Sequence, residues 1–135
     1  MYKERDDYLY PEESKKIVSA CRKVWNQFGG AFKESIVDKA LTFALQEEDL
    51  KVEDQKRIDI QFNGTKVGTY VIDKVVNGAI IIEMKCKRFV TVEDKKQFWY
   101  YLKASQYKVG YLINFGPKQT EIVRRVYDTA RSKSV

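Results

Sequence analysis

The sequence predicts an α/β fold in which a mixed central sheet, a three-stranded meander plus a crossover strand, is flanked by helices. Three observations predict it. Apolar residues recur at helical spacing through the first third of the chain, and the period then changes to strand-like alternation at Ile58, Ile60 and Phe62. Two Asn-Gly pairs, Asn63-Gly64 and Asn77-Gly78, punctuate the middle as hairpin turns do. Two apolar runs, Ala79 to Ile82 and Val109 to Phe115, enclose a helical segment, and strand-helix-strand implies a right-handed crossover and a parallel pair.

Pro11-Glu12-Glu13 starts the first helix, because proline presets the first-turn dihedral and the acids complement the positive end of the dipole. Ile17, Cys21, Val24 and Phe28 form its inner face up to Gly29-Gly30. The second helix is expected from about Phe32 to Glu48, burying Ile36, Val37, Ala40, Leu41 and Ala44, with Glu34 at the margin of that face. Strands follow over about Lys56 to Phe62, Lys66 to Val75 and Ala79 to Lys85. Thr91 is the N-cap candidate of a helix running to Ser105, with Phe98, Tyr101, Leu102 and Ser105 inward. Val109 to Phe115 is a strand covered on both faces. In the segment from Glu121 to Tyr127, Ile122, Arg124 and Val126 alternate as a short edge strand would, although Ile122, Val123 and Val126 also fit a helical face. The tail from Thr129 to Val135 is small and polar and is expected to fray. One domain over 1–135, with a core at about 12–127, accounts for the length.

The chain has 25 Lys+Arg against 19 Asp+Glu, a net charge of +6, and no histidine. Imidazole catalysis and His-liganded zinc are therefore excluded. Cys21 and Cys86 lack a CxxC spacing and are expected as reduced, buried thiols. No apolar run approaches the roughly 18 residues of a membrane span, and Met1 to Asp7 lacks the apolar core of a signal peptide, so a cytoplasmic location is expected. The positive balance is a modest bias toward a polyanionic partner.

Chemistry enters where ionisable residues replace apolar ones in strands. Asp73 interrupts Tyr70-Val71-Ile72 and Val75-Val76, and Glu83 and Lys85 follow three isoleucines on one strand face. A two-residue hairpin at Asn77-Gly78 would put Asp73 on the opposite face from Glu83. A three-residue loop, Val76-Asn77-Gly78, pairs Val75 with Ala79 and Asp73 with Ile81. Asp73, Glu83 and Lys85 then share a face, with the acids as diagonal neighbours about 7 Å apart. The second register is the expectation. Two adjacent buried carboxylates repel unless a proton or cation compensates. Mg²⁺ removes the conflict, taking one or two protein carboxylates plus waters and phosphate oxygens, and Mn²⁺ can substitute. Lys85 beside it can orient the attacking water and offset charge on a phosphate transition state. The competing reading is an ion-pair network that stabilises the strands. Gln97 and Tyr101, one helical turn apart, can face the same edge, and Glu34 can supply a third carboxylate. Lys87, Arg88, Trp99 and Tyr100 are candidates to hold phosphates and stack on bases.

Taken in order, Gly29 to Val37 with Glu34, Val71-Ile72-Asp73, Ile82-Glu83-Met84-Lys85, Tyr101 to Ala104 and Val109 to Gly116 resemble the GxxExxY protein family of the PD-(D/E)XK nuclease superfamily. The resemblance covers about residues 12 to 127. It implies a restriction-endonuclease-like core in which Asp73, Glu83, Glu34 and the Met84 backbone carbonyl bind Mg²⁺ and Lys85 serves the water. Gln97 to Tyr101 is similar to the QxxxY element of the RecB-like, lambda-exonuclease-like branch, which engages substrate near the metal. The naming motif departs from pattern, since Ala31 and Val37 stand at its Gly and Tyr positions, and Lys74 stands where the family usually has an apolar residue.

The reading that follows is a Mg²⁺-dependent nuclease acting on nucleic acid, with DNA the expected substrate and no membrane partner. A chain this small leaves little room for a sequence-reading domain. It favours structure- or end-directed cutting, or recruitment by a protein partner or a second copy. The rival is a catalytically inactive module that keeps the fold and binds nucleic acid or a protein.

Overall fold

A computed structural model describes residues 9–30 and 32–127. The expectations for Met1 to Asp7, for Ala31 and for the tail from Thr129 fall outside the described residues. The elements are α1 (Pro11–Phe28), α2 (Glu34–Glu47), β1 (Val52–Phe62), β2 (Thr65–Val76), β3 (Ile80–Lys85), α3 (Val92–Ala104), β4 (Val109–Phe115) and β5 (Thr120–Val126). The strands form one sheet in the order β1-β2-β3-β4-β5. Only β3 and β4 run parallel, joined by the α3 crossover, and the other neighbours are antiparallel. The mixed sheet flanked by helices is the predicted α/β fold, and the ambiguous segment from Glu121 is the edge strand β5.

The sheet separates two apolar layers. Ile17, Ala20, Cys21 and Val24 of α1 and Val37, Leu41 and Leu45 of α2 cover Val76, Ile80, Ile82, Met84 and the inner residues of β4. On the opposite face Phe98 and Leu102 of α3 cover Ile58, Ile72, Val75, Ile81 and Leu112. With a layer on each side, all seven residues of β4 are buried, which explains its unbroken apolar run. Cys21 and Cys86 are free thiols. Cys86 is only partly buried, against expectation, because it lies just past the end of β3 at the margin of the core.

Several boundaries differ from those predicted. Strand β1 begins at Val52 rather than Lys56, because Val52, Glu53 and Asp54 pair with Val76, Val75 and Lys74 although their own sequence shows no alternation. Helix α2 begins at Glu34, where Lys33 leaves the helical region as the N-cap, and the expected inner residue Ile36 is exposed. The register across the second turn is also corrected. Asn77 and Gly78 both have positive φ and make a tight turn closed by the Ala79 amide donating to the Val76 carbonyl at 3.0 Å. Ala79 is then passed over, and Val76 pairs with Ile80, Val75 with Ile81 and Lys74 with Ile82. Ile81 is therefore taken by Val75, and Asp73 lies just beyond the last pair, Lys74 with Ile82, next to Glu83, not diagonal to it through a partner at Ile81.

Candidate active site

The site forms where β2 and β3 part. Regular pairing reaches Lys74 and Ile82, and beyond it the Asp73 side chain takes over from the backbone: Oδ2 accepts the Met84 amide at 2.7 Å. On the other side of β2, Lys56 pairs with Ile72 and Asp54 with Lys74, while Gln55 between them has φ 54°. This local twist breaks the alternation of β2. Ile72 and Val75, three apart, both pack toward α3, whereas Lys74 turns to α2. Asp73 therefore occupies the irregular point of the strand.

Glu83 is largely buried. Its Oε2 accepts the Tyr70 hydroxyl at 2.9 Å, while Oε1 is buried with no hydrogen-bond partner. Burial and then the charge of Asp73 push the Glu83 carboxyl up to about 7, against the pull of the Tyr70 hydroxyl, of Lys85 and of the Asp73 backbone amide. Tyr70 is held by stacking on Tyr101, the ring centroids 3.5 Å apart and the planes 12° from parallel. The Asp73 carboxyl is likewise raised by burial, opposed by the Met84 amide, Lys74 and Lys85. Glu34, the first residue of α2, has an exposed side chain whose carboxyl is still raised, first by partial burial and then by the charge of Asp73, with Lys85 opposing.

Lys85 Nζ lies 4.0 Å from Asp94 Oδ1. Asp94 is fixed in turn: it is the N3 residue of the α3 capping box with Thr91, and Oδ2 accepts Lys87 Nζ at 2.7 Å. Burial works against its charge, but the Lys87 and Thr91 hydrogen bonds outweigh it and hold the carboxyl down to about 2. Helix α3 thus steadies the lysine from outside the sheet.

Among the described residues, no three His, Cys, Asp or Glu side chains converge closely enough to hold a metal by themselves. A hard cation does not require three. Mg²⁺ is commonly bound by one or two carboxylates with the remaining positions filled by water and substrate oxygens. The orphaned Glu83 Oε1, beside Asp73 in a chain without histidine, fits such an ion.

A sequence profile of the PD-(D/E)XK nuclease superfamily matches residues 11–126. The chain belongs to the PD-(D/E)XK nuclease superfamily. Membership suggests nuclease activity, and Glu83-Met84-Lys85 reads as the E-x-K half of the superfamily's pattern, while Ile72 stands where its name has proline. The crystal structure of SSO0001 shares the fold, with a TM-score of 0.55 at 20% identity over 94% of this chain and 63% of that one. The chain thus spans less than two thirds of SSO0001. No curated protein matches it.

Within this superfamily framework the other sequence-predicted residues fall into place unevenly. Gln97 and Tyr101 do meet, lining a groove of about 560 Å³ with Glu93, Asp94, Lys96 and Tyr100. Lys87 is turned onto Asp94, and Arg88 is exposed on the loop after β3. Trp99 lies on another side of α3, edge-on to Tyr127 with Lys103 Nζ 5.4 Å from its ring centre, so it does not share the groove with Tyr100. Tyr70 and Asp94 also belong to the site, and the sequence marks both only weakly. Tyr70 carried a faint signal as the aromatic three residues before Asp73, and Asp94 carried one as the helix-cap partner of Thr91.

Proposed function

We propose that the chain is a Mg²⁺-dependent nuclease that hydrolyses phosphodiester bonds, with DNA as substrate and Mn²⁺ able to replace Mg²⁺. The observation that carries this reading is the buried, unpartnered Glu83 Oε1 beside Asp73, an arrangement that burial penalises and a cation relieves. Asp73 and Glu83 are assigned as ligands, with Glu34 and the Met84 carbonyl as further oxygen donors. When bound, the ion supplies Lewis-acid activation of water and neutralises charge on the phosphate.

The chain's own residues do the rest. Asp73, held by the Met84 amide, and Glu83, held by Tyr70, are fixed before substrate arrives. Lys85 presents its ammonium, which Asp94 Oδ1 approaches to 4.0 Å, to the attacking water and to the charge that develops on phosphate. Gln97 and Tyr101 line a groove next to this point, linked to it by Tyr101 stacked on Tyr70 and by Asp94 approaching Lys85, and there they are assigned to contact the substrate strand. The free thiols accord with a cytoplasmic setting. The resemblance to the GxxExxY family is consistent with the role given to Glu34.

The test is incubation of purified protein with single-stranded, linear duplex and circular DNA, and with RNA, in Mg²⁺, Mn²⁺ or EDTA. Cutting of DNA in Mg²⁺ or Mn²⁺ but not EDTA, abolished by Asp73→Asn and Lys85→Ala, is the expected outcome. Binding without cutting under every condition would instead establish an inactive nucleic-acid-binding module.

A further inference from the structure

The loop between β3 and α3 is held more firmly than a loop of exposed residues requires. Asn114, in the middle of the sheet and 0% exposed, clamps Lys87 from both sides: Oδ1 accepts the Lys87 amide and Nδ2 donates to the Lys87 carbonyl, each at 2.9 Å. Asn114 Nδ2 also donates to Glu121 Oε1 at 2.9 Å, and that same oxygen accepts the Val90 amide at 2.9 Å. The backbone is therefore gripped at Lys87 and again at Val90, and only Arg88 and Phe89 stand between the grips. Phe89 is 59% exposed. A buried amide and a carboxylate from two strands hold an aromatic ring out in water.

The ring borders a groove of about 270 Å³ formed with Arg88, Lys118, Gln119, Glu121 and the Gly116-Pro117 turn. That turn is closed by the Gly116 amide donating to the Gln119 carbonyl at 3.0 Å, so the far wall is also ordered. Glu121 is the one acidic residue lining the groove, and its Oε1 is already committed to Val90 and Asn114. Exposed Arg88 and Lys118 leave the groove mouth cationic. Contacts link it to the proposed site: Lys85 approaches Asp94, Asp94 holds Lys87, and Lys87 begins the clamped loop.

We infer that Phe89 is a stacking platform for an unpaired nucleobase, with Arg88 and Lys118 receiving the flanking phosphates, so that the strand entering the site is single-stranded or frayed there. This rests on the nuclease reading of the neighbouring site. An aromatic face with cations on either side matches a base flanked by phosphates, because every base offers a π-face whatever its sequence. The pre-ordered backbone removes the entropy that a mobile loop would lose on binding. A paired base would have to unstack to reach Phe89, which sets single strands apart from blunt duplex.

The experiment measures binding in EDTA, so that no cutting intervenes, using a short single strand carrying a fluorescent purine analogue, the same strand in a blunt duplex, and each of wild type, Phe89→Ala and Phe89→Trp. Wild type and Phe89→Trp are expected to bind the single strand in preference to the duplex and to quench the analogue. Phe89→Ala is expected to bind the single strand about 5- to 150-fold more weakly, the range of one lost stack, with duplex binding and melting temperature unchanged. Equal single-strand affinity for wild type and Phe89→Ala would overturn the inference, even in a protein that cuts DNA in Mg²⁺. The expected loss of binding in a protein that never cuts would overturn the nuclease reading and leave the platform standing.

Discussion

Glu83 makes the acidic site sensitive to pH even before any cation binds. Its carboxyl titrates near 7 in the folded chain and near 4.5 when unfolded. Between those values the folded state holds a proton that the unfolded state has released, so stability falls as pH rises from 4.5 to 7 and is flat above. The loss is at most about 3 kcal/mol, from about 1.4 kcal/mol per pKa unit. Glu83→Gln is expected to melt several degrees above wild type at pH 8 without divalent ions and alongside it at pH 4, and Mg²⁺ should stabilise wild type but not the variant at pH 8. Thermal melts at both pH values check this, and parallel pH profiles for the two proteins would refute it. Lys74 invites a second test. It is 0% exposed, and its Nζ donates to Asp38 Oδ1 at 2.6 Å, Thr42 Oγ1 at 2.9 Å and Asp54 Oδ1 at 3.0 Å. It fastens α2, the helix that starts at Glu34, to the strand that carries Asp73, and its charge lowers the Asp73 carboxyl while Asp38 raises it. Lys74→Ala, which strands two carboxylates beside a void, should cost about 3–5 kcal/mol. Lys74→Met fills the volume but removes the charge, so the acid limb of any cleavage profile should move to higher pH while the protein still folds; an unmoved limb would make Lys74 purely structural. At this scale Asp73, Glu83 and Lys85 were legible because charge in an apolar strand is conspicuous. Tyr70 and the Lys74 partners were not, because their contacts span 13 to 36 positions of sequence.

Hydrophobic period marks an element where its own sequence decides the structure, and not where its neighbours do. The inner face of α1 and, in α3, Phe98 and Leu102 follow from spacing, whereas Tyr101 turns to the groove and Ser105 is the C-cap; the strands of the parallel pair follow from their unbroken apolar runs. The first residues of β1 do not, since Glu53, Asp54 and Gln55 are polar and become strand only by pairing with β2. The second turn shows a finer limit: Asn77-Gly78 announced a hairpin, but whether Ala79 pairs or is passed over depends on the grip between Lys51 and Asn77, whose side chain accepts the Lys51 amide at 2.8 Å. That single choice sets which residue faces Asp73. Two element joints are open to test. Gly30 sits so close to the Gly116-Pro117 backbone that an added Cβ would overlap it, and Trp25 Nε1 donates to the Gly116 carbonyl at 3.0 Å beside it. Gly30→Ala should therefore destabilise by about 1–3 kcal/mol, because the obstacle is backbone and cannot rotate away. Thr91→Ala removes the α3 cap and should cost about 1 kcal/mol, read as a lower denaturant midpoint with an unchanged slope. It should also lower cleavage more than that loss explains, since the same capping box orients Asp94 toward Lys85.

The whole molecule carries a net charge of +6, and how that charge is distributed decides how it meets nucleic acid. Some of the basic residues are internally engaged: Lys74 with Asp38 and Asp54, Lys87 with Asp94, Lys23 with Glu48 and Lys66 with Asp59. The basic residues lining the two grooves beside the site are Lys96 at one and Arg88 and Lys118 at the other. Three cations meeting phosphates give a slope of about −2 in a plot of log affinity against log salt for a single strand, at about 0.7 per contact. Association should therefore weaken by roughly tenfold to a hundredfold between 50 and 200 mM salt, far less than for a protein that tracks a long duplex. Replacing Arg88 and Lys118 together by glutamine should lower the slope by about one to two, since each phosphate contact contributes about 0.7, without moving the melting temperature. Fluorescence anisotropy titrations across that salt range check it. A slope near zero would mean that the charge is spent on the protein's own carboxylates. A slope of −6 or steeper would mean that cations beyond these grooves, such as Lys95, Lys103 and Arg125 around α3, also meet the strand.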